Sequence, residues 1–151
     1  MTEIILMTHV LLGVICVVGS VWIFVDVLHA SPANERRIQC LSRVVAGAMW
    51  LAFLVAGWWY VNRYAPDKAL ILKGPWPFAH KFFMESKEHL VILLLLLASF
   101  LPIVTARSLA ADKDARKLAL WVCALIVLLG LGMEGEGAVI AMGVKVALLA
   151  K

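Results

Sequence analysis

Four long apolar segments dominate this chain, and short polar stretches separate them. Each is long enough for a transmembrane helix, which needs roughly 20 mostly apolar residues to cross a bilayer. The pattern predicts spans at about residues 4–29, 38–64, 81–106 and 118–137. The last apolar stretch, residues 138–151, is too short to cross again, so we expect a helical extension beyond the membrane or a segment at its surface.

The short connections between these spans favour an antiparallel arrangement, because helices joined by short loops pack as antiparallel neighbours. Only the connection at residues 65–80 is longer, and its prolines and Gly74 predict an ordered loop. The expected fold is therefore an all-α integral membrane protein, a four-transmembrane-helix antiparallel bundle that forms a single domain over residues 1–151. The second span ends in aromatic residues typical of a membrane interface: Trp58, Trp59, Tyr60 and Tyr64.

Composition supports the membrane assignment and excludes several classes of protein. Hydrophobic residues make up 64% of the chain and charged residues only 16%, which is far outside the range of soluble domains. The three cysteines, Cys16, Cys40 and Cys123, are scattered and predict neither a disulfide framework nor a thiolate metal site. The net charge of +4 comes from short loops, so we expect no nucleic-acid partner. No nucleotide-binding loop or nucleophile with a base supports hydrolase or transferase chemistry.

A cluster of ionisable residues lies at the start of the third span, directly before a run of leucines. It contains Glu85, Lys87, Glu88 and His89, and on a helix Glu85, Glu88 and His89 share one face. Charged groups at such a position are costly unless they face protein, water or a ligand. The pattern therefore predicts a functional site here, while the simpler alternative is that the two glutamates are acidic residues favoured in a first helical turn.

Two further ionisable residues are expected at the same depth. With a rise of about 1.5 Å per residue, His9 lies roughly 8 Å inside the first span. Glu134 lies about 24 Å along the fourth span from the opposite side, which returns it to the same level. Together with His89, these residues predict a site near one membrane surface. The alternatives are that His9 is a satisfied interhelical histidine and that Glu134 and Glu136 are solvated beyond the end of the span.

The leading hypothesis for this site is a histidine-ligated b-type haem. Two imidazoles from different helices, His9 and His89, provide the axial ligands that it needs, with Glu85, Glu88 and Glu134 orienting them as hydrogen-bond partners. The same set could hold copper or zinc, since imidazole suits both. A second site at Asp26 and His29 is the weaker alternative to a simple interfacial pair. His80 is an alternative ligand or entry residue.

Several segments resemble a known group of small membrane proteins. The stretch H-V-L-L-G-V-I-C-V-V-G over residues 9–19, Leu41-Ser-Arg-Val-Val, and Lys87 before the poly-leucine span are similar to the copper-resistance CopD-like and HemJ-type four-helix proteins. The resemblance implies a b-haem or copper function, with His9 as the first-helix histidine and Lys87 as the lysine that opens the third helix. Cys16 stands where the HemJ type has tryptophan, and the arginine-containing L-P-R-L segment is missing.

Three functions follow as hypotheses. The first is a membrane redox protein with one haem b, an electron-transfer protein or a haem oxidoreductase, in the inner membrane of a bacterium and with a redox partner. The second is a translocation module in which the same histidines and carboxylates handle copper, another cation or protons. The third is a structural subunit of a larger membrane complex or a homo-oligomer.

Overall fold

A computed structural model describes residues 2–150, which form four long helices and no strand. The helices are α1, Thr2–Leu28; α2, Glu35–Lys73; α3, Glu85–Thr105; and α4, Lys113–Leu149. One wider π-helical segment, Ala79–Met84, leads directly into α3. All four helices are long and apolar enough to cross a membrane.

Neighbouring helices run in opposite directions around a closed ring. His9 contacts Ala52 and Cys16 contacts Val45, so residue numbers rise along α1 as they fall along α2. The Ser42–Thr105 contact joins α2 to α3 near the end of α3. Helices α1 and α3 both pack against α2 and α4 but not against each other within the described chain. The main core lies along the axis of this ring.

Polar contacts tie the two connections at one end of the bundle together. Arg37 donates two hydrogen bonds to the Asp26 carboxylate, at 2.8 Å from Nε and 2.7 Å from Nη2. This ion pair joins α1 to α2. Glu35 accepts hydrogen bonds from the Ser108 hydroxyl and the Ala110 backbone N–H, both at 2.9 Å. The loop between α1 and α2 is therefore fastened to the loop between α3 and α4.

The second helix is longer than the sequence predicts, which corrects the expected loop at residues 65–80. It continues through Pro66 to Lys73, so only residues 74–78 separate it from the π-helix. Proline removes one backbone hydrogen bond, but tertiary packing offsets this loss because Tyr64 and Ile71 are buried against Ala79 and Ile140. At 39 residues, α2 is about 58 Å long, nearly twice the hydrocarbon thickness of a bilayer.

The fourth helix also continues without a break from Lys113 to Leu149. Of the two alternatives for the last apolar stretch, the structure has the helical extension, which continues the predicted span at 118–137 to Leu149 in one helix of 37 residues. Together with the distal part of α2 and the π-helix, its end forms a small second core that contains no residue of α1. We call this part, residues 60–84 and 138–149, the projection.

Glycine allows the projection to pack closely. A Cβ at Gly143 would lie 2.7 Å from the Cβ of Ala79, whereas a Cβ at Gly47 would meet nothing within 4 Å. Alanine is favoured over glycine inside a helix by up to about 1 kcal/mol. We therefore expect Gly47→Ala to keep or raise the Tm of the detergent-solubilised protein and Gly143→Ala to lower it, as measured by circular dichroism. Equal effects of the two substitutions would contradict this packing.

Candidate functional site

A small cavity of about 30 Å³ lies inside the four-helix ring, towards the start of α1. It has room for roughly one or two water molecules. Every helix contributes to its wall, and the lining residues are His9, Gly13, Cys16, Val17, Met49, Ala52, Lys87, Leu94, Ile126, Gly130, Met133 and Glu134. Besides the Cys16 thiol, three of these side chains are ionisable: His9, Lys87 and Glu134, which come from three different helices.

The histidine of α1 is held in one tautomer by the backbone of α2. The Nδ1 atom of His9 lies 3.1 Å from the carbonyl oxygen of Ala52. A carbonyl oxygen can only accept, so Nδ1 carries the hydrogen of the neutral ring. The lone pair therefore lies on Nε2, which makes no hydrogen bond within the described chain and is the atom that can take up a proton.

The lysine of α3 extends into the bundle rather than out to the surface. Its Nζ atom donates a hydrogen bond of 2.9 Å to the carbonyl oxygen of Met133 on α4. Gly137 leaves the space for this side chain, because a Cβ there would lie 2.9 Å from Nζ. Neither Glu134 nor Glu136 is within 4.0 Å of Nζ among the described ion pairs.

The glutamate of α4 packs directly on the backbone of α1. A Cβ at Gly13 would overlap sterically with the Glu134 carboxylate oxygen Oε1. Gly130, one turn before Glu134, makes a similar approach to Val17. Small residues thus let α1 and α4 come close while the carboxylate remains inside the interface.

The structure does not bring His89 into this cavity. His89 is exposed, and its Nδ1 atom donates to the carbonyl oxygen of Glu85 in its own helix at 2.7 Å. Two residues correspond to a rotation of about 200° along a helix, so Lys87 and His89 face opposite sides of α3. Glu85 and Glu88 are exposed as well. Of the predicted set, only His9, Lys87 and Glu134 lie together.

A haem held by His9 and His89 does not fit this arrangement. Pockets for ligands of that size occupy roughly 300 Å³ or more, about ten times the cavity found here. The two imidazoles also do not face a common space. Within residues 2–150, no group of three or more His, Cys, Asp or Glu side chains could hold a metal ion.

The predicted second site at Asp26 and His29 is not assembled either. Arg37 occupies both carboxylate oxygens of Asp26. His29 is exposed, with Nδ1 3.2 Å from the carbonyl oxygen of Val25 in the same helix.

A buried pair in the projection was missed by the sequence analysis, which left His80 as an alternative ligand. His80 is only 4% exposed, and its Nδ1 atom lies 3.1 Å from the hydroxyl of the equally buried Tyr64. The pair forms because α2 continues past Pro66 and reaches the π-helix. Nothing in the local sequence indicates this contact, since it depends on the unexpected length of α2.

Comparison of the chain with protein families, with curated proteins and with solved structures found no match.

The contact between Gly13 and Glu134 predicts a specific effect of a single methyl group. Gly13→Ala should leave the fold intact, because the end of the glutamate side chain can move, but it should displace the carboxyl group. We expect a shift of the Glu134 carboxyl band in infrared spectra, assigned with Glu134→Gln. Gly57→Ala is the matched control because a Cβ there meets nothing within 4 Å. An unshifted band in Gly13→Ala would contradict the described packing.

Proposed function

We propose that this chain is an integral membrane protein whose four helices cross the bilayer as an antiparallel bundle. The length and apolar character of the helices support this proposal. So does the outer surface, where large apolar side chains are exposed, such as Leu96 at 64% and Leu128 at 68%. Soluble monomers rarely expose continuous apolar surface of this kind. Polar side chains are instead found on the inside, around the cavity.

We infer that the cavity is a proton-transfer site and that the protein conducts or translocates protons across the membrane. The observation that carries this inference is the convergence of His9, Lys87 and Glu134 around one small, water-sized space. Each of these side chains exists in a protonated and a deprotonated form, and such groups inside membrane bundles commonly serve as proton relays. A proton bound at His9 Nε2 can pass to the Glu134 carboxylate through a water molecule in the cavity.

The lysine disfavours a bound metal cation in this cavity. The Lys87 ammonium group shares the cavity and repels any other cation placed there, since like charges separated by a few ångströms in a poorly solvated site interact strongly. Cys16 does not complete a copper site with His9. The two residues are seven positions apart, or about 10 Å along α1, and the Cys16 thiol points to the carbonyl oxygen of Val45 at 3.6 Å.

Proton flux into proteoliposomes tests this function. With an outward potassium gradient and valinomycin as the driving force and pyranine as the internal pH indicator, we expect the wild-type protein to acidify the interior of the vesicles. Both His9→Gln and Glu134→Gln should lower the rate at least about tenfold, since a positioned proton-transferring side chain typically contributes about a hundredfold or more. His89→Gln is the matched control and should conduct normally, because His89 lies outside the cavity.

Two results would contradict the proposal. One is a wild-type rate no higher than that of empty vesicles. The other is a Soret band in protein purified from haem-supplied cells that disappears in both His9→Gln and His89→Gln, which would restore the bis-histidine haem hypothesis.

A further inference from the structure

One buried hydroxyl group inside the bundle has no hydrogen-bond partner. Ser20 lies on α1, one helical turn beyond Cys16, and is fully buried. Its Oγ atom forms no hydrogen bond with the described chain. Buried polar atoms in proteins are nearly always paired, and an unpaired one commonly marks the position of a water molecule.

Two further buried hydroxyl groups lie at the same level of the bundle. Ser42 on α2 and Thr105 on α3 are both at most 1% exposed, and their hydroxyl oxygens are 2.8 Å apart. Gly19, next to Ser20, packs against Val45, which lies one helical turn from Ser42 and so places Ser20 near the level of Ser42 along the bundle. Three helices thus each contribute one buried hydroxyl group to one cross-section.

The Ser42–Thr105 pair retains hydrogen-bonding capacity. The Ser42 hydroxyl donates to the Gln39 carbonyl oxygen at 2.9 Å, so the Thr105 hydroxyl is the donor in the bond between the two. The longer contact of Thr105 with the Pro102 carbonyl oxygen, at 3.4 Å, competes for the same hydrogen. The two hydroxyl groups have two hydrogens but four lone pairs, and their mutual bond uses only one of those lone pairs. A water molecule can therefore donate to this pair and accept from Ser20.

We propose that Ser20, Ser42 and Thr105 form a hydrated polar layer that continues the proton path from the cavity towards the Asp26–Arg37 end of the bundle. This role rests on the proposed proton-transfer function. Along α1, the positions of His9, Cys16, Ser20 and Asp26 follow one another at about 10, 6 and 9 Å. Each hydroxyl oxygen accepts a proton from water on one side and releases its own proton to water on the other, so the number of protons in the layer is the same after each transfer, and rotation of the hydroxyl groups restores their starting direction.

A dry alternative exists for Ser20, because a serine hydroxyl in a helix can bond to the carbonyl oxygen four residues before it, here that of Cys16. The reactivity of a thiol at position 20 distinguishes the hydrated layer from this dry alternative. In a background without the three native cysteines, Ser20→Cys introduces a thiol that reacts with methyl methanethiosulfonate as a thiolate, which water stabilises and a dry apolar core disfavours. Ala98→Cys is the control, since Ala98 is fully buried among apolar residues.

We expect the Ser20→Cys thiol to react at least about tenfold faster than the Ala98→Cys thiol, followed by mass spectrometry of the intact protein. Equal rates would overturn the hydrated layer. This measurement does not depend on proton flux, so it separates failure of the layer from failure of the proposed function.

The role of the layer in conduction is tested in the same proteoliposomes. Ser20→Ala and Thr105→Val should each reduce the proton flux about tenfold, as expected for the loss of one hydrogen bond to the connecting water. Ser99→Ala is the control, because the Ser99 hydroxyl accepts from Trp50 Nε1 at 3.0 Å away from the interior. Full flux in Ser20→Ala would overturn the path. Absence of flux in the wild type, with a reactive Ser20→Cys thiol, would overturn the proton function and the conducting role but retain the hydrated layer.

Discussion

The ammonium group of Lys87 inside an apolar bundle is the constraint on which the polar interior depends. A charged group removed from water is costly unless hydrogen-bond partners and opposite charge surround it. The Met133 carbonyl oxygen accepts from Nζ, and Glu134 provides a carboxylate in the same cavity. The glycines follow from the same requirement, because Gly137 makes space for the lysine and Gly13 makes space for the glutamate.

The two ends of the molecule are stabilised differently. At one end, the Asp26–Arg37 ion pair and the hydrogen bonds of Glu35 connect the loops. The other end is the one at which α1 begins, and there the projection is stabilised by its own small hydrophobic core, to which α1 contributes no residue. The site lies between them, where all four helices are present. Its three ionisable residues are therefore held by helices rather than by loops, which favours a fixed geometry for the proposed proton transfer.

The helical architecture is largely predictable from the sequence, because long apolar segments separated by short polar stretches leave few alternatives. The limits of the helices are less predictable. Pro66 indicates a helix end, yet the burial of Tyr64 and Ile71 extends α2 to Lys73. Tertiary packing decides here, and the local sequence carries no sign of it. The same contacts explain why the Tyr64–His80 pair was not anticipated.

For the site, the sequence indicates that His9 and Glu134 come to one level of the bundle, where both line the cavity, but the ionisable residues alone do not indicate the orientation of the third helix. The spacing of apolar, small and polar residues along α3 does indicate this orientation. Leu94, Ala98, Leu101 and Thr105 are buried and follow Lys87 at helical spacing. His89 lies instead on the stripe of exposed residues, which includes Ile92, Leu96, Phe100 and Ile103. Turning His89 inward would require rotating α3 by about half a turn.

That rotation would carry the small and polar residues of α3 to the outside and force four large side chains into a close-packed core. It would also remove Thr105 from Ser42 and Lys87 from Met133. Overpacking of a core is destabilising in itself, and the two lost contacts would leave buried polar groups unpaired. The apolar pattern of a single helix thus selects lysine over histidine as the third member of the site. For this reason the proton-transfer hypothesis agrees with the fold, while bis-histidine ligation would require a different orientation of α3.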